Sequence, residues 1–406
     1  MKTIILFTNS YPYSKRGEIS FIEPELEVLN KYFKIIVVPL NKETFIPRKL
    51  INDLENVSVE DVKFEKYKEV LNLFKIDPFF IKELRKIRKI NNVKDLLIRH
   101  IKLKWIERII QEKIEKKIWK KIFIYYTYWF DFTTTALLRL KSKYNLKVIT
   151  RAHGYDLYEI RRGGYIPFRD TDVKKIDYIV TISMQGYNYL KNKYSLNNLY
   201  NSYLGIKDFH IINPINVNKK VIKIVSCSLM SPVKRIDMIM KYLSEVSRDL
   251  NIKIIWNHIG DGVLKEILIE KKKKFQHKLF DINFVGFLEN KDIFEYYNNN
   301  SFDYFITLSE SEGLPVSLME AASVSLPIIA TNVGGINEIV YDKKNGFLLS
   351  ENPSYNEFKN RFIEAISFKA NEKKYISLKK ESRNIFLKKF KAENNYKKFA
   401  EFLDKL

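Results

Sequence analysis

Short apolar runs alternate with longer amphipathic stretches along the whole chain. In the first half, KTIILFTN, FKIIVVPL, KIFIYYTY, LKVITRAHG and DYIVTIS are near-continuous apolar runs of strand length. That is the pattern of parallel strands buried on both faces. In the second half, VIKIVSCS, IKIIWNHIG, DINFVGF, DYFITLS, LPIIATN and NGFLLS repeat it. Helical patterns such as RIDMIMKYLSEVSRDL lie between the runs. The alternation predicts βαβ units and an α/β fold of two doubly wound, Rossmann-like domains. A polar stretch without helical period, LGIKDFHIINPINVNKK, marks the break. The expected division is an N-terminal domain over 1–205, a C-terminal domain over 206–385, and a C-terminal helix over 386–406 packing back on the first domain. Two such domains facing each other leave a cleft at the carboxyl ends of their strands, where ligands bind in open α/β sheets.

Composition narrows the class. With 46% hydrophobic and 14% aromatic residues in 406, the chain is globular and has ample material for two cores. A single cysteine, Cys227, excludes an internal disulfide framework and fits a reducing, cytoplasmic setting. The opening MKTIILFTNSYP reads as a first strand, not a secretory leader. No run reaches the roughly 18 apolar residues of a membrane span. The formal charge is +23 and uneven: residues 1–200 carry 39 Lys and Arg against 23 Asp and Glu, residues 201–406 carry 32 against 25. Segment 82–121 alone holds 15 basic and 5 acidic residues. Such a concentration calls for an anionic partner or a solvated basic face.

Against that background, SEGLPVSLMEAAS (311–323) sets two carboxylates, Glu312 and Glu320, around a Gly313-Leu314-Pro315 turn. Pro315 fits the first position of a helix over Val316–Ser323. Glu312 then lies in the turn, and Glu320 about 8 Å further along the axis. Between them are the free N–H groups of the helix start, a ready anion site. Carboxylates suit neutral hydroxyls, so the order carboxylate, positive helix end, carboxylate suits sugar, diphosphate and ribose. An ordinary amphipathic helix with a solvated glutamate is the plainer reading of the same residues.

Other strand ends offer related chemistry. Lys234 and Arg235 follow KIVSCS at a loop-to-helix junction, where two cations can neutralise a diphosphate. Gly260-Asp261-Gly262 permits close backbone approach, and Phe287 offers a surface for a base. His153, Gly154 and Asp156 end a strand of the first domain, and Gly17 loosens the loop after the first strand. Gly334 and Gly335 precede a short helix with Glu338.

Taken together, Glu312-Gly313-Leu314-Pro315…Glu320, followed by VGGINEIV and NGFLL, resembles the E-x7-E element of retaining GT-B glycosyltransferases of the family 4 group. GDG at 260–262, FVGF at 284–287 and RAHGYDLY at 151–158 fall in that family's order. The resemblance implies transfer of a sugar from a nucleoside-diphosphate sugar to a saccharide or lipid-linked acceptor, as in surface-polysaccharide synthesis, by a hexosyltransferase that retains configuration. It implies that Glu320 holds the ribose hydroxyls, and that Glu312 contacts the transferred sugar with the Gly313 and Leu314 backbone alongside. It gives Lys234 and Arg235 the leaving diphosphate, places His153 near the sugar on the acceptor side, and closes the Gly17 loop beneath the phosphates. It implies no metal and no further cofactor; no Asp-x-Asp triplet or His/Cys cluster is evident. One departure stands out: Cys227-Ser228 occupies the strand end where many relatives carry Gly-Arg.

The same resemblance assigns the acceptor to the first domain. Ile98, Ile101, Trp105 and Ile109 recur at helical spacing among Lys and Arg, which suits a helix lying on anionic lipid at the inner membrane face. A helix packed on its own sheet fits equally well. Two rivals remain: a GT-B nucleotide-sugar epimerase, which shares the cleft, and a basic nucleic-acid-binding protein, for which no binding motif is evident.

Overall fold

The computed structural model describes residues 1–14, 17–63, 77–87, 90–119, 121–218 and 220–406. Parts of segment 82–121, including Lys120, lie outside them. The chain forms two compact units, Met1–Tyr203 together with Tyr396–Leu406, and Leu204–Asn395.

Among the described residues the first unit contains β1 (Thr3–Thr8), β2 (Lys34–Pro39), β3 (Val57–Val59), β4 (Ile122–Thr127), β5 (Val148–Ala152), β6 (Tyr178–Thr181) and β7 (Leu199–Asn201). They pair in parallel in the order β3-β2-β1-β4-β5-β6-β7. Central β1 shows why its run is continuously apolar: Ile5 and Phe7 enter one core, Ile4 and Leu6 the other. Alternate residues point to opposite faces, so a strand covered on both sides needs apolar residues throughout.

The helix Ile90–Glu115 supplies one of those covers. Leu96, Leu103, Ile106 and Ile110 recur along one stripe and are fully buried. Trp105 is also buried, its indole N–H donating to the Lys63 carbonyl at 3.0 Å. Ile109 packs against the same core, and Ile98 remains 43% exposed. The expected lipid-facing stripe of Ile98, Ile101, Trp105 and Ile109 is thereby corrected. The protein's own core offers this helix an apolar surface at no cost in ordering a partner, so Trp105 and Ile109 of the stripe turn inward.

The opposite face buries an ion pair. Arg151 of β5 lies 2.9 Å from Glu25 in the helix Ile19–Leu29, and both are essentially inaccessible. Arg151 donates to the Tyr126 hydroxyl at 2.7 Å and the Ser202 carbonyl at 3.0 Å. Glu25 accepts from the hydroxyls of Tyr126 and Tyr128, at 2.8 and 3.1 Å. Two buried charges persist because nearly every lone pair and proton finds a partner. Phe399, in the returning segment Tyr396–Leu406, closes this core with Ala400 and Leu403, its ring 4.7 Å from the Arg151 guanidinium.

The second unit contains β8 (Val221–Cys227), β9 (Lys253–Ile259), β10 (Phe280–Gly286), β11 (Tyr304–Thr307), β12 (Ile328–Thr331) and β13 (Gly346–Leu349). These are parallel, in the order β10-β9-β8-β11-β12-β13. The helix Ile236–Asp249 buries Ile236, Ile239, Met240, Leu243 and Val246 against the sheet. All eleven apolar runs recognised in the sequence are strands. Edge strands β3 and β7, each three residues long, are additions.

Candidate active site

In the second unit, loops at the strand ends bring the two glutamates and the cations together. Lys234 ends the turn Pro232–Lys234, and its Nζ lies 2.6 Å from Glu312 Oε1. The partners are largely covered, with side-chain exposures of 22% and 11%. The Glu310 N–H donates to the Val233 carbonyl at 2.8 Å, which ties the two loops by backbone as well. A third loop supports them from behind. Gly334 has φ +55°, and a Cβ there would lie 1.9 Å from the Glu312 carbonyl oxygen. Only glycine fits both that conformation and that contact. The next residue, Gly335, donates its N–H to the Gly313 carbonyl at 2.7 Å. VGGINEIV therefore fixes where Glu312 stands.

Pro315 precedes the helix Val316–Ser323 as its cap, with extended backbone (φ −73°, ψ 118°), and does not occupy the first helical position. Its carbonyl accepts the Leu318 N–H at 3.2 Å, so it starts the helix from outside. Leu314 is buried, and Gly313 carries the turn. Glu320 is only 3% exposed, on the inner side of that helix. Burial pushes its carboxyl up to about 7, against a hydrogen bond from the Asn290 amide that favours the charged form. Asn290 opens the helix Asn290–Asn299 and was not foreseen; a side-chain amide at a helix start beyond a strand is the signal that could have found it.

The remaining donor-side candidates have mixed placements. Arg235 turns towards the loop after β13, donating to the Glu351 carbonyl at 2.8 Å and to Asn352 Oδ1 at 2.7 Å. Gly260 (φ +137°) lets the ends of β8 and β9 touch: a Cβ would lie 2.0 Å from the Ser228 carbonyl oxygen. Across the same contact the Met230 N–H donates to the Asp261 carbonyl at 2.9 Å. The Asp261 side chain accepts the Gly262 N–H at 2.8 Å and lies 3.3 Å from Lys265 Nζ. Phe287, just past β10, is 42% exposed, and Leu229 and Val263 after β8 and β9 are also exposed. Three adjacent strands are thus each followed by an apolar side chain that is exposed to solvent.

The first unit gathers a separate group. Gly17 leads into Glu18, a buried carboxylate not singled out from the sequence. It accepts the backbone N–H groups of Asn9, Ser10 and Tyr11 at 2.9, 2.8 and 2.9 Å, and the Trp129 indole N–H. One side chain thus holds the loop after β1 in shape. His153, at the end of β5, is 6% exposed, and its ring packs 4.4 Å from that of Trp129 and 5.2 Å from that of Tyr128. Neither ring nitrogen has a hydrogen-bond partner among the described residues. Asp156 is occupied structurally, accepting the backbone N–H of His153 at 2.5 Å and of Phe130 at 2.8 Å. It positions His153.

Among the described residues no group of three or more His, Cys, Asp or Glu is arranged to hold a metal ion, and no helix is long and apolar enough to cross a membrane.

Residues 208–384 match the family model described as Glycosyl transferases group 1. An uncharacterized glycosyltransferase of Methanocaldococcus jannaschii is 28% identical over 240 residues, covering 56% of this chain and 61% of that protein. The O-antigen biosynthesis glycosyltransferase WbnH of Escherichia coli is 35% identical over 91 residues, 22% of this chain and 24% of its own length. The chain therefore spans less than two thirds of either relative. Among solved structures, HepE of Anabaena in complex with UDP aligns over 100% of both chains with a TM-score of 0.66 at 15% identity, which shows a common fold. The sequence match is confined to residues 208–384, and the whole-chain likeness shows the GT-B fold.

Proposed function

We propose that this chain is a retaining hexosyltransferase of the family 4 type, moving a sugar from a nucleoside-diphosphate sugar to a saccharide acceptor without a metal ion. The observation that carries the reading is the Lys234–Glu312 pair at the mouth of the helix bearing buried Glu320. Lys234 has three N–H donors and spends one on Glu312, which leaves capacity for phosphate oxygens. The helix start adds unpaired N–H groups and a positive dipole end. Charge developing on the leaving diphosphate is thereby met by groups already in place, the arrangement that lowers such barriers most. Glu320 takes the ribose hydroxyls, with Asn290 orienting it, and Phe287 offers its exposed ring to the base. Glu312 contacts hydroxyls of the transferred sugar and forms no covalent bond to it. In this reading Arg235 acts through the loop at 351–352, and the diphosphate falls mainly to Lys234.

The Anabaena HepE structures hold UDP and UDP-glucose, so uridine nucleotides are the first donors to test. WbnH acts in O-antigen biosynthesis, which favours a surface-polysaccharide acceptor here. Thermal shift and donor hydrolysis with UDP-, GDP-, ADP- and dTDP-sugars in EDTA, on wild type and Glu320→Ala, test the reading. One nucleotide that stabilises only the wild type is expected; identical responses from both proteins would sink the assignment of Glu320.

Peripheral attachment at an inner membrane face belongs to the same proposal. It rests on Lys116, Lys117 and Lys121, exposed beyond the helix Ile90–Glu115 with Ile118 among them. Neutralising all three should abolish flotation with anionic vesicles; unchanged flotation rejects the attachment.

A further inference from the structure

The first unit holds a cavity of about 500 Å³ beside the His153 group, which the donor chemistry leaves unused. It lies among the helix Ile90–Glu115, the start of the helix Phe132–Tyr144, and the segment from Tyr155 to Arg162. Three cations line it: Arg99, Lys102 and Arg162. The Arg162 guanidinium lies 4.6 Å from the centre of the Tyr155 ring, and Lys102 Nζ lies 5.6 Å from that of Phe132. None of the three side chains makes a hydrogen bond or ion pair among the described residues. Lys102 is exposed, but Arg99 and Arg162 are half-buried, and other half-buried cations of this unit, such as Arg139 and Lys104, are paired with Asp77.

Carboxylates are present as well, but most are already employed. Asp156 holds two backbone N–H groups, as described above. Asp131 caps the helix Phe132–Tyr144 by accepting the Thr133 N–H at 2.9 Å. Asp95 is solvent-exposed one turn before Arg99. Burial, together with the like charges of Arg162 and Arg169, lowers Arg99 to about 10, against attraction from Asp131 and Asp172. Two half-buried guanidiniums facing one cavity repel each other, and an anion placed between them would relieve both. The cavity also presents the rings of Trp129 and Tyr155, flat apolar surfaces with polar edges. Rings suit the C–H face of a pyranose, and Asp131 suits a hydroxyl.

We infer that this cavity is the acceptor site and that it takes a sugar carrying a negative charge, a carboxylate or a phosphate, held between Arg99 and Arg162 with the ring packed on Trp129 and Tyr155. The inference rests on the glycosyl-transfer reading for the word acceptor; the anion site itself rests on the geometry. A phosphate and a carboxylate share the same bidentate recognition by guanidinium, so the probes must separate them.

Titration calorimetry on the full chain with methyl glucuronide, glucose 1-phosphate and neutral methyl glucoside separates them. Wild type, Arg99→Gln and Arg162→Gln are compared, with UDP binding followed in the same preparations as a check on folding and on the second unit. One charged probe should bind at least tenfold more tightly than methyl glucoside, and each substitution should remove that preference with UDP binding unchanged. Which probe wins identifies the group. Equal affinity for charged and neutral probes, no binding of any of them, or charged-probe binding that survives both substitutions overturns the inference, even with UDP bound normally. A wild type that binds no nucleotide but binds the charged probe through both arginines overturns the transferase reading and upholds the anion site.

Discussion

The two sheets share a strand order, with the first strand of each unit inside and the next two running outward on one side, but their strand ends are furnished differently. In the second unit the polar groups are already paired with one another: Lys234 with Glu312, Asn290 with Glu320, Arg235 with residues 351–352. Backbone contacts too close for a side chain hold the loops that carry them. In the first unit the strand ends are padded with aromatic rings, the His153 ring nitrogens make no hydrogen bond among the described residues, and three cations line a cavity with their side chains unpaired there. Its Arg151–Glu25 cluster, extensively paired, lies within the core. A site that receives the same group in every reaction gains from being preorganised. A site that defines one partner among many gains from groups left waiting for it. The contrast also fits the family match, which covers residues 208–384 and so falls within the second unit.

The contrast can be broken at its most expensive point. Arg151→Leu leaves Glu25 charged and buried without its partner, and should destabilise the first unit by about 3–5 kcal/mol. Urea unfolding followed by tyrosine fluorescence measures this. The double variant with Glu25→Leu should recover most of the loss. Equal instability of single and double variants would show that the pair is not what matters there.

Next in size is the donor side. Lys234→Ala should lower kcat/KM for sugar transfer by about 10²–10³, the usual cost of removing one preorganised charge-stabilising group. Global stability should change little by comparison, because Glu312 retains some contact with water. A drop of less than threefold would mean that another group carries the diphosphate charge.

The smallest effect is the most diagnostic. Burial raises the Glu320 carboxyl from 4.5 in an open chain to about 7 in the fold. The folded state therefore holds this proton more tightly than the unfolded one, so its stabilising contribution is complete below pH 4.5 and is lost as pH rises through 7. Wild type should lose stability relative to Glu320→Gln across that window. Nucleotide binding should run the other way: the carboxylate accepts hydroxyls better than the acid, so wild-type affinity should gain several-fold from pH 6 to 8 over the change seen in Glu320→Gln. Parallel pH profiles of the two proteins would refute the role of this carboxylate.

How much of this was legible depended on distance along the chain. The long strands announced themselves because β1, β8 and their neighbours are apolar on both faces. NVSVE and NLYNS did not, since three-residue edge strands carry too few buried positions to form a pattern. Glu312 and Glu320 share one loop-to-helix motif, so their spacing could be read directly. Glu18 could not, because its value comes from Trp129, 111 residues away. The stripe Ile98–Ile109 was visible as apolar, but a sequence does not say whether such a stripe meets a membrane or the protein's own core, and here the core takes Trp105 and Ile109. The cavity cations were visible only as part of a basic segment. What distinguishes Arg99 and Arg162 is that two half-buried guanidiniums face one cavity with no ion pair among the described residues, and that is a property of the folded surroundings.

Phe399, Ala400 and Leu403 complete a core begun near the start of the chain. During synthesis, residues 1–203 emerge long before Tyr396–Leu406, and at about 5–20 residues per second the gap is roughly 10–40 s. Through that interval Arg151, Tyr126 and Tyr200 lack their aromatic lid. The first unit is therefore begun before the second but completed after it, and its core stays open on one side until Tyr396–Leu406 has left the ribosome.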